Sequence, residues 1–376
     1  MKVSIERRVL AEAAAQVAKA TSVKRSLAIL GHILLTADKD GLRLSATDLE
    51  IGIQRLIPAE VEEEGEATVP AKIFTDLLNV SGDGETVKIH SLKKGNAIKL
   101  VFGKMSSKIN GLNTGDFPIT ESVDAPGIEF QVEDLRDLIA KTAFAASEDV
   151  ARPVLEGVIF KFETDQLVMA SADGFRMSKV SAPLPNFSNG DSPVESIILP
   201  AKALQHLSTL LGNRETVTLR INASKRAEFE AGDVKMVITP IVGDFPDFEN
   251  IIPKSHKATA TFSTQAGLKA AKAARIFAQD AGNLVRMNMN GKTIELFAQD
   301  REIGSNETTI NPESTSIEGE EMSIGFNVKM LIDFLSIKNG GDMVVFEIEG
   351  PNSPAKFTYQ GNDDFLHIIM PMHVTG

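Results

Sequence analysis

Cysteine and tryptophan are absent from the 376 residues, and there is a single tyrosine. The first absence removes disulfides, thiolate nucleophiles and cysteine-based zinc sites. The scarcity of large aromatics leaves little on which to stack unpaired bases, as single-strand binders do in a basic groove. The twenty phenylalanines fall mostly at strand and helix positions that alternate with polar ones, the pattern of cores. No run approaches the ~18 apolar residues of a membrane span, and the opening Met1-Lys-Val-Ser-Ile-Glu-Arg-Arg8 lacks the apolar centre of a signal peptide. The chain is therefore expected in the cytoplasm, without membrane contact. Six histidines show no paired spacing such as His-Glu-x-x-His, and neither a glycine-rich phosphate loop nor a Gly-x-Ser-x-Gly elbow occurs. Asp38-Lys-Asp-Gly41 begins like a calcium loop but lacks the later ligands, and reads as a hairpin. No catalytic residue, metal or cofactor is expected.

What the sequence does contain is a long repeat, which has to be settled before any other feature. Leu167 to Met177 reads as a strand of small and apolar residues entering a turn at Asp173-Gly174. The same grammar surrounds Asp48 and Asp300, at intervals of 125 and 127 residues. Val69-Pro-Ala-Lys72 opens a helix that recurs at Leu199-Pro-Ala-Lys202 and again at Phe326-Asn-Val-Lys329, its lysine fixed. Gly115-Asp-Phe-Pro118 returns as Gly243-Asp-Phe-Pro246. Three homologous domains of about 125 residues follow, a comfortable domain size. An Asp at the same strand end in every repeat is read as a turn residue, because its carboxylate bonds the backbone that follows. The helical spacing at 6–19 places Leu10, Ala14 and Val17 on one face and Arg7, Arg8 and Lys19 among the rest. Strands are expected at 26–37, 42–57, 86–90 and 97–102, with a helix at 70–79. The order repeats with helices at 131–146 and 200–211 and strands at 155–182 and 216–240, and once more from Ser263. Two helices with antiparallel strands per unit make an α+β fold.

The formal net charge is −12, which by itself argues against DNA, where affinity comes from neutralising phosphates. Its distribution is uneven: the six helices with their flanks carry a net +8 and leave −20 to the remainder. One surface is basic and the other acidic. The end of the chain is also unusual. Phe365 to Val374 is almost unbroken apolar sequence where polar, frayed sequence is common. A last strand accounts for Leu366 to Ile369, but not for Met370-Pro-Met372.

Taken together, Leu27-Ala-Ile-Leu-Gly31, Ala46-Thr-Asp-Leu-Glu50, Thr68-Val-Pro-Ala-Lys72, Asp116-Phe-Pro118, Ala172-Asp-Gly-Phe-Arg176, Asp244-Phe-Pro-Asp247, Ile324-Gly-Phe-Asn327 and Ile369-Met-Pro-Met372 resemble the bacterial DNA polymerase III β sliding clamp family over the whole length. The resemblance implies three clamp domains, set at 1–122, 128–252 and 258–376. It also implies a head-to-tail homodimer, a pseudo-sixfold ring around duplex DNA with no sequence specificity, and no catalysis. Size agrees. A domain of this length has a diameter of about 36 Å, so six enclose a hole about one domain wide, whereas three leave only ~6 Å.

By the same resemblance Lys24, Arg25, Lys72 and Lys202 face DNA. A pocket between the second and third domains takes short Gln/Leu/Phe-rich peptides of the replicative polymerase, the clamp loader and repair polymerases. Its wall is expected to include Leu155, Ala172, Gly174, Phe175, Arg176, Met177, Pro246, Ile251, Asn327, Met330, Asn352, Pro354, Ile368, Ile369, Met370, Pro371, Met372, His373 and Val374. Phe175, Asn250, Met330 and His373 depart from the family's common residues there. The dimer seam is expected at Ile276 and Phe277, with Asp300, Glu302 and Glu307 meeting Lys104 and Lys108. The rival readings are a hydrolase using Asp173 and His206, supported by residue type alone, and a monomeric three-domain protein-binding scaffold.

Overall fold

The computed structural model describes residues 1–22, 27–80, 86–92, 96–118, 122–184, 194–318 and 321–373. One order of elements runs through it three times. The first pass is β1 (Lys2–Glu6), α1 (Arg7–Val17), β2 (His32–Asp38), β3 (Gly41–Thr47), β4 (Ile51–Ile57), β5 (Glu60–Glu63), β6 (Gly65–Pro70), α2 (Ala71–Asn79), β7 (Thr86–Ser91), β8 (Ala97–Phe102) and β9 (Met105–Asn110). The second is β10 (Gly127–Gln131), α3 (Val132–Thr142), β11 (Gly157–Phe162), β12 (Gln166–Ala172), β13 (Arg176–Pro183), β14 (Ser196–Pro200), α4 (Ala201–Leu210), β15 (Thr216–Ile221), β16 (Ala227–Ala231) and β17 (Val234–Ile238). The third is β18 (Ala258–Ser263), α5 (Thr264–Ala278), β19 (Leu284–Met289), β20 (Ile294–Asp300), β21 (Gly304–Ile310), β22 (Ser314–Ile317), β23 (Met322–Asn327), α6 (Val328–Leu335), β24 (Met343–Ile348), β25 (Ala355–Tyr359) and β26 (Asn362–Ile369). The expected α+β class and threefold repeat are both present. No helix among the described residues is long and apolar enough to cross a membrane.

The recurring aspartates turn the chain, as their position implies. Asp48 Oδ1 accepts from the N–H groups of Glu50 (2.9 Å) and Ile51 (2.8 Å). Asp173 Oδ1 accepts from Phe175 (2.8 Å) and Arg176 (3.0 Å), and Asp300 Oδ1 from Glu302 (2.7 Å) and Ile303 (3.1 Å). Two expectations change. The strand placed at 26–37 begins only at His32, because Ala28–Gly31 winds as a 3-10 turn that buries Ile29 and Leu30 against Phe117. Arg7 belongs to the buried face of α1, where its Nη1 donates to Leu78 O (2.6 Å) near the end of α2. A cation there meets the negative end of the helix dipole.

Among the described residues the chain divides into two compact units, one drawn from 1–134, 190–194 and 206–240, the other from 135–189, 195–205 and 241–376. The first unit contains a five-stranded sheet, β5-β1-β7-β8-β9, and an eight-stranded sheet, β10-β15-β16-β17-β4-β3-β2-β6. The second contains a nine-stranded sheet, β14-β11-β12-β13-β26-β25-β24-β18-β22, and a four-stranded sheet, β21-β20-β19-β23. The division runs through the middle domain because each of its two sheets continues into a neighbouring domain. β4 pairs with β17 from Ile51↔Ile238 to Arg55↔Val234, and β13 pairs with β26 from Arg176↔Ile369 to Val180↔Phe365. The connection between domains is therefore backbone hydrogen bonding along a strand seam. In the first unit the linker is also held: Glu228, itself buried, accepts from Val123 N (3.0 Å), and Lys235 donates to Ser122 Oγ (3.1 Å).

Helix packing follows from side-chain size. α5 buries Gly267, Ala270, Ala271, Ala274 and Ala278 against the larger Val328, Leu331, Ile332, Phe334 and Leu335 of α6. A Cβ on Gly267 would lie 2.6 Å from the Phe262 ring, so only glycine allows this approach. Behind α6, Phe334 stacks on Tyr359 (5.0 Å) and on His367 (5.3 Å), and Tyr359 Oη donates to Phe334 O (2.9 Å).

His367 is fully buried in this stack. Burial, and then the nearby Arg176 charge, push its pKa from 6.5 down to about 3. The folded chain holds the neutral ring, whereas the unfolded chain protonates it. The associated stability is intact above pH 6.5 and is lost as pH falls from 6.5 toward 3, at up to about 1.4 kcal/mol per pH unit. His367→Phe keeps a ring and removes the titration. Urea unfolding at pH 7.5 and pH 5 should show wild type losing about 2 kcal/mol relative to the variant; a gap independent of pH would contradict the buried neutral imidazole.

Candidate functional site

The turn between β12 and β13 presents one side chain to solvent. With both following N–H groups held by Asp173 and Gly174 at φ +96°, Phe175 is left 61% exposed. A Cβ on Gly174 would lie 3.0 Å from Arg152 Nη1, so the glycine also makes room for that guanidinium. Phe175 O accepts from Met370 N (2.8 Å), and Met372 N donates to Gly325 O (2.8 Å) on β23. The chain beyond β26 is thus pinned to the middle domain at one end and to the third domain at the other, with Pro371 between. Met370 is exposed, Pro371 and Met372 are half-buried, and His373 is exposed. Val374 lies outside the described residues.

The other residues expected in the wall are placed as follows. Asn327 caps α6 by accepting from Lys329 N (3.0 Å), and Met330 stands half-buried in the first turn. Pro354 precedes Ala355, which lies opposite Ile369 on β26, and Asn352 is exposed in the preceding turn. Pro246 and Ile251 flank Phe248, whose ring packs with Val168, Ala170, Ala172, Met177 and Ile368 beneath the surface. Leu155 is buried in a 3-10 turn whose carbonyl accepts from Ser147 N (2.8 Å).

Two wall residues have roles other than those expected. Met177 is 1% exposed and belongs to the cluster below, so the available thioethers are those of Met330, Met370 and Met372. Arg176 is engaged by partners within the chain. Its Nε donates to Asp173 Oδ2 (3.0 Å), Nη1 to Asp333 Oδ2 (2.6 Å) and Nη2 to Phe144 O (2.7 Å), with the guanidinium 5.5 Å over the Phe144 ring. It ties the turn to α6. With Oδ1 held by the turn N–H groups and Oδ2 by Arg176 Nε, both Asp173 oxygens are engaged in setting the turn. Arg152, Asp333 and Phe144 were not expected here; nothing in the sequence links Arg176 to a partner 157 positions away.

Several cations on strands or beside them are matched with carboxylates, as Arg55 and, in the loop after α4, Arg214 with Asp233, Arg220 and Lys235 with Glu228 and Glu230, Lys161 and Lys179 with Glu249, and Lys356 with Glu347. Lys72, Lys202 and Lys329 are exposed second residues of α2, α4 and α6, none with an ion-pair partner among the described residues. No acidic residue stands in the first turn of these helices. A lysine there opposes the helix dipole, three times over. Lys329 completes a set whose signal was the lysine fixed in the repeated helix. Lys24 and Arg25 lie outside the described residues.

Two sheet edges complete the inventory. Among the described residues β9 pairs only with β8, and β21 only with β20. Lys104 and Lys108 are exposed at the first edge, Glu302 and Glu307 at the second. Asp300 is engaged in its turn, and the two backbone N–H bonds hold its carboxyl below the usual range. Ile276 is 65% exposed, Phe277 half-buried, and Ile303, not expected at this surface, 57% exposed.

Comparison with known proteins matches the three domains in order. Residues 1–121 fit the N-terminal domain of the DNA polymerase III beta subunit, 129–247 its central domain and 249–373 its C-terminal domain. The chain is 29% identical to the beta sliding clamp of Synechocystis sp., over 95% of each protein, and 26% identical to that of Bacillus subtilis, over 99% of each. The crystal structure of the DNA polymerase sliding clamp from Bacillus subtilis superposes with a TM-score of 0.92 at 25% identity, covering 100% of both chains. With all three domains matched in sequence and the whole fold matched in space, the chain belongs to the DNA polymerase III beta subunit family, the beta sliding clamps, a non-catalytic processivity subunit of that polymerase.

Proposed function

We propose that two copies of this chain close head to tail into a ring that encircles duplex DNA in the cytoplasm and tethers replication and repair proteins. Its domains are taken as 1–122, 128–252 and 258–376. The observation that carries the reading is the repeated strand seam. In each seam the strand after a turn aspartate, β4 or β13, pairs with the last strand of the next domain, β17 or β26. The third turn aspartate is followed by β21, and the first domain ends in β9. These are counterpart strands, each with an open edge. An open edge invites another chain.

The internal seams also supply a register. Residue Asp+3, Ile51 or Arg176, lies opposite Ile238 or Ile369, and these lie opposite Ala227 and Ala355 on the adjoining strand. In the first domain Ala97 lies opposite Asn110. Ile303 of one copy then falls opposite Asn110 of the other, Ser305 opposite Lys108 and Glu307 opposite Ser106. Glu307 then has Lys108 as a diagonal neighbour on one face, an attractive cross-strand arrangement, with Lys104 in the turn just before β9. Ile276, within α5, stands at the same distance along the chain from the start of its helix as Phe144, just past α3, does from the start of α3. Phe144 packs on His367 across the second seam (5.2 Å), and Ile276 with Phe277 is assigned the same task between copies.

Lys72, Lys202 and Lys329, with Lys24 and Arg25, face the duplex. Contacts confined to phosphates position without reading sequence, and a closed ring needs little affinity to stay on its track. The cleft at Phe175, Met330 and Met370 to Met372 takes Gln/Leu/Phe-rich peptides of the polymerase, loader and repair polymerases. Such sites are mostly apolar with a few placed polar groups, and flexible thioethers suit several ligands.

Four experiments test these assignments. Ile276→Ala with Phe277→Ala should sediment as a monomer. In the cysteine-free chain, Ser106→Cys with Glu307→Cys should oxidise to a covalent dimer, whereas Ser107→Cys with Glu307→Cys, on opposite faces, should not. An intact dimer in the first or the reverse pattern in the second places the seam elsewhere. On DNA, a loaded ring should survive high salt on closed circles and be lost from linear duplex, while binding to short duplex is weak and falls steeply with salt; tight, salt-resistant binding to short linear DNA would sink the topological link. Deleting residues 370–376, which follow the last strand, should preserve the dimer and abolish calorimetric binding of a Gln-Leu-x-Leu-Phe peptide. Unchanged affinity would move the partner site off the tail.

A further inference from the structure

The chain builds one strand seam twice and fills its centre differently. Five residues beyond the turn aspartate, Ile53 on β4 lies opposite Met236 on β17, and Ser178 on β13 lies opposite His367 on β26. All four side chains are fully buried. The first pair is apolar. In the second, Ser178 Oγ and His367 Nδ1 are 2.7 Å apart, and His367 Nε2 has no partner among the described residues. A buried polar atom left without a hydrogen bond costs stability, and the first seam holds at the same position without any polar atom. Seam strength is thus no reason for the serine and histidine. Buried polar pairs that cost stability fix one arrangement among several.

What this pair adjoins is the wall of the peptide cleft. The His367 ring lies between Phe334 of α6 (5.3 Å, 9° between planes) and Phe144 (5.2 Å, 37°). Phe144 in turn sits beneath the Arg176 guanidinium and accepts from its Nη2. Arg176 holds Asp173, whose carboxylate sets the turn that presents Phe175. We propose that the Ser178–His367 pair is a positioning device for the partner cleft: its hydrogen bond fixes the plane of the ring, the ring seats Phe144, and Phe144 seats Arg176 and the Phe175 turn. The proposal rests on the cleft reading given above. An Ile–Met pair fills the same space but offers no directional bond and no ring face to Phe144.

Transplanting the first seam's pair, as Ser178→Ile with His367→Met, separates positioning from stability. The double variant should keep a thermal midpoint equal to or above wild type. Its affinity for a Gln-Leu-x-Leu-Phe peptide should be roughly tenfold weaker by calorimetry, within the range by which coupled residues act at a distance. Hydrogen exchange at the Phe175 and Arg176 amides should be faster. His367→Phe, which keeps a ring against Phe144 but loses the bond that fixes its plane, should show intermediate losses on both readouts. If the double variant does not fold, His367→Gln, which keeps a polar neighbour for Ser178 and loses the ring, should show the same two losses. A folded variant with wild-type affinity and wild-type exchange overturns the proposal. Should wild type itself not take up the peptide, the cleft reading falls, and the amide exchange alone decides the positioning role.

Discussion

A β-strand at the margin of a sheet carries a row of backbone donors and acceptors that only another strand satisfies in full. This constraint organises the chain. Domains that would otherwise each expose such rows join through them, and the middle domain gives one sheet to each neighbour, so that its two halves fall into different compact units. The side chains then trim the seams. Asp233 takes Arg55 in the first, and Asp333 takes Arg176 in the second. Each is an ion pair reaching across a domain boundary beside the strand that crosses it. Such pairs contribute modestly when exposed, so they act chiefly on geometry, with the strand hydrogen bonds and the buried side chains between them holding the domains together.

Much of this was legible in the sequence because it is local. An aspartate at a strand end bonds the next two or three N–H groups wherever it occurs, and the three turns are as the repeat implies. Helix limits fell within a few residues for the same reason: α5 starts after a capping Ser263 that accepts from Ala266 N (3.4 Å). Apolar content without periodicity misleads, as at Ala28–Gly31, where a buried run of mixed residues reads equally as strand or turn. The chemistry of the cleft was harder. Met177 and Phe175 are two residues apart, yet one is 1% and the other 61% exposed, because the turn releases one backbone position from the sheet while the next strand residue but one returns to it.

β9 was not legible at all. Met105 to Asn110 has a single fully buried residue, Ile109, and otherwise polar or half-exposed positions, so neither alternation nor β-propensity marks it as a strand. The reason lies in its place at the edge: it has a partner on one side only, and hydrophobic residues facing the open side would invite indiscriminate pairing. Its lysines do the opposite. In the proposed seam they deter most strands and admit the acidic β21, so a sequence too polar to look like a strand is what such a selective edge requires.

The charges obey a similar logic. A chain of net charge −12 repels a polyanion at long range, and the repulsion is screened beyond about 8–10 Å in physiological salt. Within that distance only the local surface counts. Several strand lysines and arginines are neutralised by carboxylates a few ångströms away, whereas Lys72, Lys202 and Lys329 stand exposed at the positive ends of three helices with no acid in the first turn. Helix dipole and lysine therefore add instead of cancelling. For the isolated helix this is a small penalty, about 0.3–1 kcal/mol at an exposed terminus, and it is incurred at the same position in each domain. A fold that needed only stable helices would place an acid there, as α3 does with Glu133 and Asp134. On the proposed reading the missing negative charge is supplied from outside, by the phosphates of a duplex that no domain needs to recognise by its bases.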